Sequence, residues 1–249
     1  MKISIVTAVY NGIATIGDAL ASVQGQVGAE VEHVVVDGGS TDGTALYLHE
    51  REQQLARLVI ERDRGIYDAL NKGFFKLSTG DVVGLLHADD VFAHDRVLAH
   101  VAQAFAADPA VEAVYGDLQY VRRDEPSKVV REWKSGAFSR ERLRWGWMPP
   151  HPTLFLRRDL LRRVGPFNLE YRIAADYEFI LRVFGQSPDI KVTYLPEVLV
   201  RMRLGGESNR SLRNVMRKSR EDLRALRAHG VGGVGALLAK NLSKLPQFF

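Results

Sequence analysis

"DVVGLLHADD", residues 81–90, sets an uninterrupted apolar run against two adjacent carboxylates. As a strand, residues 82–86 would be buried on both faces, the mark of a parallel sheet with helices packed above and below. Asp89 and Asp90 stand where that strand stops. Like charges on neighbouring residues repel, and burying either one unpaired is costly. The pair therefore asks for a partner of opposite sign.

Working outward, the same pattern recurs through the first hundred residues. "ISIVTAV" (3–9), "VEHVVVD" (31–37) and "ARLVIE" (56–61) read as further strands. Residues 13–24, "STDGTALYLHEREQQ" (40–54), "GIYDALNKGFFKLS" (65–78) and residues 94–106 read as helices between and after them. This alternation predicts an α/β fold built on a mostly parallel, Rossmann-like sheet flanked by helices. In such sheets a ligand binds beyond the carboxyl ends of the strands. Asp37 closes the second strand, Glu61 the third, and Asp89 and Asp90 follow the fourth. One strand-end aspartate is ordinarily a helix cap or a turn former. Three acidic strand ends on one rim mark a site.

After residue 107 the pattern changes. "AVEAVYGDLQYV" (110–121) and "SKVVREW" (127–133) predict shorter, antiparallel strands about a turn at 123–126. "MPPHPTLFLRRDLLRRVGPFN" (148–168) reads as a loop, a strand and a short helix, and "IAADYEFILRVFG" (173–185) as the start of an amphipathic helix. "IKVTYLPEVLVRMR" (190–203) supplies one or two strands. A basic helix over 209–228 and the segment "VGALLAKNLSKLPQFF" (234–249) end the chain. "GGVGA" (232–236) reads as a break between the last two helices.

A length of 249 residues suits one large domain or two intimate ones. The absence of cysteine excludes disulfides, thiolate metal sites and a cysteine nucleophile. The first apolar run breaks at Tyr10-Asn11-Gly12, too early for a signal peptide. No stretch approaches the roughly 20 apolar residues of a membrane span, so the expectation is a cytoplasmic protein. The net charge of +4 is uneven. Residues 201–227 hold eight Arg and one Lys against two Glu and one Asp, and residues 1–200 are net negative.

Adjacent strand-end carboxylates offer hard oxygen ligands to Mg²⁺ or Mn²⁺, ions that commonly share a site with phosphate oxygens. That chemistry points toward a nucleoside diphosphate ligand. The chain has neither the Gly-x-x-x-x-Gly-Lys-Ser/Thr loop nor the Gly-x-Gly-x-x-Gly fingerprint, which weakens ATPase and dinucleotide readings.

These residues resemble glycosyltransferase family 2, enzymes of the GT-A fold that transfer sugars from nucleotide donors. "ISIVTAVYNG" looks like that family's opening strand and nucleotide-contacting turn, and "VVVDGGSTDGT" like its second-strand motif. "ERDRGIYDALNKGFFKLSTGDVVGLLHADD" resembles its acidic-basic-Gly turn, helix and metal motif, with His87 where Asn or Ser is frequent. "PPHPTLFLRRDLL" resembles an acceptor-side loop, "IAADYEFILR" the helix start bearing the catalytic base, and "RLGGESN" a Gly-Gly segment near the donor diphosphate. The flavour is that of the bacterial branch that builds surface polysaccharides or glycolipids.

The resemblance implies a metal-dependent, inverting, hexosyltransferase-like enzyme using Mn²⁺ or Mg²⁺ and a nucleotide-diphosphate sugar, UDP or dTDP favoured. Thr7, Ala8, Tyr10 and Asn11 would surround the nucleotide, Asp37 would accept from a uracil or thymine N–H, Asp89 would bind the ribose and Asp90 the metal. Arg64 would approach the diphosphate or stay a solvated surface residue, and Glu61 is open between donor contact and structural pairing. Asp176 would be the general base, against the alternative of a helix cap; Glu178 reads as solvated. His151 is open between acceptor contact and loop packing, as are Trp133, Trp145 and Trp147 between stacking on sugars and plain packing. Residues 1–107 would form the donor half and 108–207 the acceptor half. Residues 208–249 would form a basic helical tail.

The tail divides the readings further. Arg210, Arg213, Arg217, Arg220, Arg224 and Arg227 follow helical spacing, and Leu237, Leu238, Leu242, Leu245, Phe248 and Phe249 come after them. This pattern suits an anionic membrane face carrying a lipid-linked or saccharide acceptor, or else a solvated helix with a packing or dimer contact. Nucleic acid binding through the same stripe is the alternative from a different class, but no aromatic stacking platform accompanies it. A nucleotidyltransferase would share the layers and the metal, but no glycine-rich activation loop lies near the first strand.

Overall fold

The structure, a computed structural model, describes residues 1–186, 189–205 and 212–242. Strand β1 (Lys2–Val9) pairs in parallel with β2 (Glu30–Asp37) along its whole length; β3 (Arg57–Ile60) adds outside β2, and β4 (Val82–Leu85) flanks β1 on the other side. Ile3, Ile5, Val6, Val34, Val35, Val36 and Val82 are completely buried. Successive residues point to opposite faces, so Ile3 and Ile5 meet α1 (Ile16–Gln24) and α4 (Val97–Ala107) in one core cluster. Val6 and Ala8 meet α3 (Ile66–Lys72) in another. The helix expected from residue 13 begins at Ile16 because residues 12–15 form a turn, closed by the Ile16 N–H on the Gly12 carbonyl at 2.9 Å. The helix expected over 65–78 is α3 followed by a π turn, Gly73–Leu77. A Cβ at position 73 would come within 2.2 Å of Val6, so glycine lets this turn press onto β1.

The second half extends the same sheet with mixed directions. β8 (Phe155–Arg157) lies antiparallel between β4 and β6 (Ala113–Val121), so β6 returns to the direction of β4. β9 (Val192–Arg203) runs parallel to β6, β5 (Asp90–Phe92) is antiparallel to β9, and β7 (Val129–Trp133) forms a hairpin with β6. Residues 192–203 make one strand, not two. Pro196 falls at the register break between the Tyr115–Tyr194 and Asp117–Val198 pairs, where a missing N–H is tolerated.

Helix α7 (Ala175–Gln186) is apolar nearly all round; Tyr177, Phe179, Ile180, Leu181, Val183 and Phe184 are at most 3% exposed. It is covered in part by α8 (Leu212–Ala228), which buries Ala225 and Leu226, and α8 in turn packs on α9 (Val234–Leu242). The expected basic helix is therefore docked on α7, with Arg220, Arg224 and Arg227 on its exposed side. Among the described residues no helix is long and apolar enough to cross a membrane. The expectations placed on residues 206–209, Arg210, Leu245, Phe248 and Phe249 lie outside the described residues.

Candidate active site

Parallel register sets Val9, Asp37 and Ile60 side by side at the carboxyl rim. The loops that follow β1 and β2 are stapled together. The Asn11 N–H donates to Ser40 Oγ (2.7 Å), the Thr41 N–H to Asn11 Oδ1 (2.9 Å) and the Gly12 N–H to Thr44 Oγ1 (3.0 Å). Asn11 adopts φ +50°, a left-handed conformation that asparagine tolerates better than most residues. Tyr10 stands beside it, 65% exposed. Asp37 is fully buried; its Oδ1 accepts the Gly39 and Ser40 N–H groups at 2.9 and 2.7 Å, while Oδ2 is buried without a protein donor. An unsatisfied buried oxygen costs about 1–3 kcal/mol unless a bound donor meets it.

Thr7 and Ala8 lie below this surface. The Thr7 side chain is fully buried, with Oγ1 3.0 Å from His33 Nε2, and Ala8 is buried too. Expected at the nucleotide, the Thr7 hydroxyl is instead spent on His33, because its position in β1 turns it into the sheet's interior. Burial pushes His33 down to about 4, so it stays neutral. Glu61 meets Lys72 Nζ at 2.7 Å, and Arg64 meets Asp68 at 3.2 Å with its side chain 77% exposed.

Asp89 and Asp90 occupy different environments. Asp90 opens β5 and is 1% exposed, not solvent-facing as expected of a metal-holding rim carboxylate. Its Oδ1 accepts the Arg203 N–H at 3.2 Å, and burial, then the charge of Asp89, push its carboxyl well above the usual range. The Arg203 guanidinium, itself buried, donates to the Asp89 carbonyl at 3.0 Å and bonds Asp18. Consecutive side chains at a strand start point opposite ways. Asp90 therefore turns inward, and Asp89 is left half-buried at the rim.

The acidic rim is connected to α7 through two imidazoles. His87, two residues before Asp89, has Nε2 2.7 Å from His151 Nε2, and His151 Nδ1 lies 3.3 Å from Asp176 Oδ2. The Tyr67 hydroxyl, from α3, donates to the Ile173 carbonyl (2.8 Å) and lies 3.3 Å from Asp176 Oδ1. Burial pushes His151 down to about 4, so it is neutral near pH 7 and the adjacent carboxylate favours its proton on Nδ1. His87 then donates to His151, the order that satisfies both rings. Burial raises the Asp176 carboxyl, but the positive groups around it, with Lys218 and Lys240 among them, and the Tyr177 N–H outweigh it and hold it below the ordinary range. The His151 imidazole, facing the carboxylate through Nδ1, makes the largest contribution to this lowering, ahead of the two lysines and the amide. Asp176 is thus ionised, and its side chain is 23% exposed.

One side chain of α7 differs from expectation. Glu178 is not solvated: it is 4% exposed and bridges Arg182 (2.8 Å) and His229 (2.9 Å). Trp147 packs against Tyr115, Phe138 and Phe184, Trp133 is half-buried, and Trp145 is 64% exposed. Tyr67, Arg203 and Glu221 were not singled out by the sequence, because each acts through a segment remote in the chain. A separate group, His94, His100 and Glu197, has ligand atoms within 4.8 Å of one another. Glu197 is engaged by His100 Nδ1 at 2.9 Å, and His94 Nδ1 accepts the Arg96 N–H at 3.2 Å.

A parallel half, an acidic rim at its carboxyl edge and a mixed second half on one continuous sheet match the GT-A class of folds. The sequence profile described as "Glycosyl transferase family 2" matches residues 4–165, and the chain belongs to that family. A PGL/p-HBAD biosynthesis glycosyltransferase of Mycobacterium bovis (strain BCG / Pasteur 1173P2) is 35% identical over 210 residues, 83% of this chain and 78% of that protein. Staphylococcus aureus TarS 1–349 in complex with UDP-GlcNAc superposes with a TM-score of 0.68 at 20% identity, covering 93% of this chain and 66% of that one. The mannosyltransferase PcManGT from Pyrobaculum calidifontis, in complex with GDP-Man and Mn²⁺, gives 0.68 at 21% identity, covering 98% and 70%. At these identities the two structures establish the fold.

Proposed function

We propose that this chain moves a sugar from a nucleotide-diphosphate donor to an acceptor hydroxyl with inversion, and that Asp176 is the general base. The observation that carries the reading is an ionised, partly exposed Asp176 whose two oxygens are steadied by His151 and Tyr67, with His151 in turn bonded to His87, two residues before the rim carboxylate Asp89. The acceptor oxygen would attack the anomeric carbon from the side opposite the diphosphate. Asp176 would take the hydroxyl proton as the new C–O bond forms, and the sugar–phosphate bond would break with its electron pair leaving on the nucleoside diphosphate.

The donor half fits this chemistry. Asp37 Oδ2, buried and without a protein donor, suits the imide N–H of uracil or thymine, so a UDP- or dTDP-sugar is favoured. Tyr10 and Asn11 are exposed on the loop after β1, where the nucleotide would lie, with Ala8 and Thr7 buried in the strand before it. Arg64, exposed on its turn, is available to the diphosphate, and Glu61 acts through Lys72. Asp89 is the carboxylate open to Mn²⁺ or Mg²⁺ and to the ribose, while Asp90 supports it from behind through Arg203. The oxygen donors match a hard cation, which would supply positive charge to the leaving diphosphate. The PcManGT complex contains both GDP-Man and Mn²⁺, in keeping with that role.

On the acceptor side, His151 lines the base and Trp145 stands exposed nearby in sequence. A saccharide or lipid-linked acceptor is favoured by the relative in PGL/p-HBAD biosynthesis. The exposed Arg220 and Arg227 on α8 suit a peripheral seat on an anionic membrane face.

The test is Asp176→Asn, which keeps size and removes the proton acceptor. Turnover should fall by roughly 10²–10⁴-fold while affinity for UDP with Mn²⁺ stays near wild type. An Asn variant with wild-type turnover would exclude Asp176 as the base.

A further inference from the structure

The N-terminus of α7 is capped from far away. Residues 172–176 read Arg-Ile-Ala-Ala-Asp, and the residue before the helix, Ala174, has no side-chain acceptor for the free N–H groups of the first turn. The nearest acceptor within the segment is Asp176 itself. Instead Glu221, on α8, accepts the Arg172 N–H at 3.2 Å and the Ile173 and Ala174 N–H groups at 2.9 Å each. The Asp176 carboxylate meets Tyr67, His151 and the Tyr177 N–H.

We infer that Glu221 is a positioning residue: by holding three successive amides it fixes the backbone that enters α7, and so keeps the base two residues on turned toward the acceptor. This rests on Asp176 being the base. The surrounding contacts hold Glu221 at its post. Lys240 of α9 meets Asp222 at 2.8 Å, both nearly fully buried, and lies 3.1 Å above the Tyr177 ring. His229, just past α8, binds Glu178 at 2.9 Å. Two helical elements beyond the family-matched residues 4–165 thus brace the two residues that follow Asp176 in α7. A carboxylate at a helix N-terminus is also favoured by the helix dipole, which gives Glu221 a stable seat.

The test compares Glu221→Ala, Glu221→Gln, Asp176→Asn and the double variant Glu221→Ala/Asp176→Asn in the full chain. Turnover is read as nucleotide release from UDP-glucose, UDP-GlcNAc or dTDP-glucose, whichever is fastest with wild type, and UDP binding with Mn²⁺ by calorimetry. Glu221→Ala is expected to lower turnover at least 10-fold with the UDP dissociation constant within 2-fold of wild type. Glu221→Gln, which keeps one acceptor oxygen, should recover part of the loss. The double variant should be no slower than Asp176→Asn, because both changes remove the same group from service. If Asp176→Asn is inactive while Glu221→Ala, or Glu221→Gln should the alanine variant not fold, turns over as wild type, the positioning role is overturned and the base stands. A further loss in the double variant, or a loss of UDP affinity matching the loss of turnover, makes Glu221 merely structural and also overturns it. An active Asp176→Asn variant removes the base assignment and this inference together.

Discussion

Asp89 and Asp90 are adjacent in sequence, and their substitutions are expected to fail in opposite ways. Asp90→Ala deletes the acceptor of the buried Arg203 N–H and leaves a small void at a residue 1% exposed. An unsatisfied buried donor costs about 1–3 kcal/mol, and the void adds to it. A total of about 2 kcal/mol, with a urea slope near 2 kcal/mol per molar, lowers the unfolding midpoint by about 1 M. Asp90→Asn keeps an acceptor of the same shape, and Asn is a close isostere of the protonated carboxyl that burial favours here. Its cost should stay below about 1 kcal/mol. Asp89→Asn changes a half-buried rim residue, should shift stability by less than about 0.5 kcal/mol, and should remove the Mn²⁺ dependence of UDP binding. Urea unfolding followed by tryptophan fluorescence and calorimetry of UDP with and without Mn²⁺ measure both. The reasoning is refuted if Asp90→Ala unfolds at the wild-type midpoint yet loses Mn²⁺-dependent UDP binding while Asp89→Asn retains it.

Three further outcomes are expected. His33 has a folded pKa of about 4 against roughly 6.5 unfolded, so the unfolded chain takes the proton first and stability falls as pH drops between those values. The loss attributable to His33 at pH 5 is about 2 kcal/mol. His33→Gln should remove it, measured as urea midpoints at pH 7.5 and 5.0; an equal acid loss in the variant would place the effect elsewhere. Gly84→Ala puts a Cβ within 2.5 Å of the Phe155 ring and should cost about 1–3 kcal/mol, partly recovered by adding Phe155→Leu. Thermal unfolding reads this, and an unchanged Tm would mean the β4–β8 contact is looser than it stands. Arg220→Ser/Arg227→Ser should weaken co-sedimentation with vesicles containing anionic lipid, with the effect vanishing at high salt; unchanged binding, or none by wild type, would remove the membrane role from α8.

The parallel half was legible because its strands advertise themselves. Residues 3–9, 31–37 and 82–86 are apolar on both faces, and only a covered sheet accommodates that. Asp37 and Asp89 stand at the rim by the same logic, since a strand's end is where a polar side chain meets the loops beyond the sheet. The pattern did not reveal which of two adjacent aspartates turns inward, because that depends on where β5 begins and on Arg203, 113 residues later. Glu178 looked solvated for a similar reason. Its partner His229 arrives from 51 residues away, and a charged residue early in a helix carries no local sign of burial. Likewise, nothing in the spacing of His87 and His151 or of Ile173 and Glu221 announces contact. Such pairings are decided by how α7, α8 and the loop at residues 149–153 pack, which local periodicity does not encode.

The most direct measurement of the central claim is the anomeric configuration of the transferred sugar, read by ¹H NMR coupling constants from a reaction stopped at early turnover. A single displacement assisted by Asp176 predicts that the product carries the configuration opposite to the nucleotide donor's. Retained configuration in the first product formed would contradict it, and with it the assignment of Asp176 as the base of an inverting transfer.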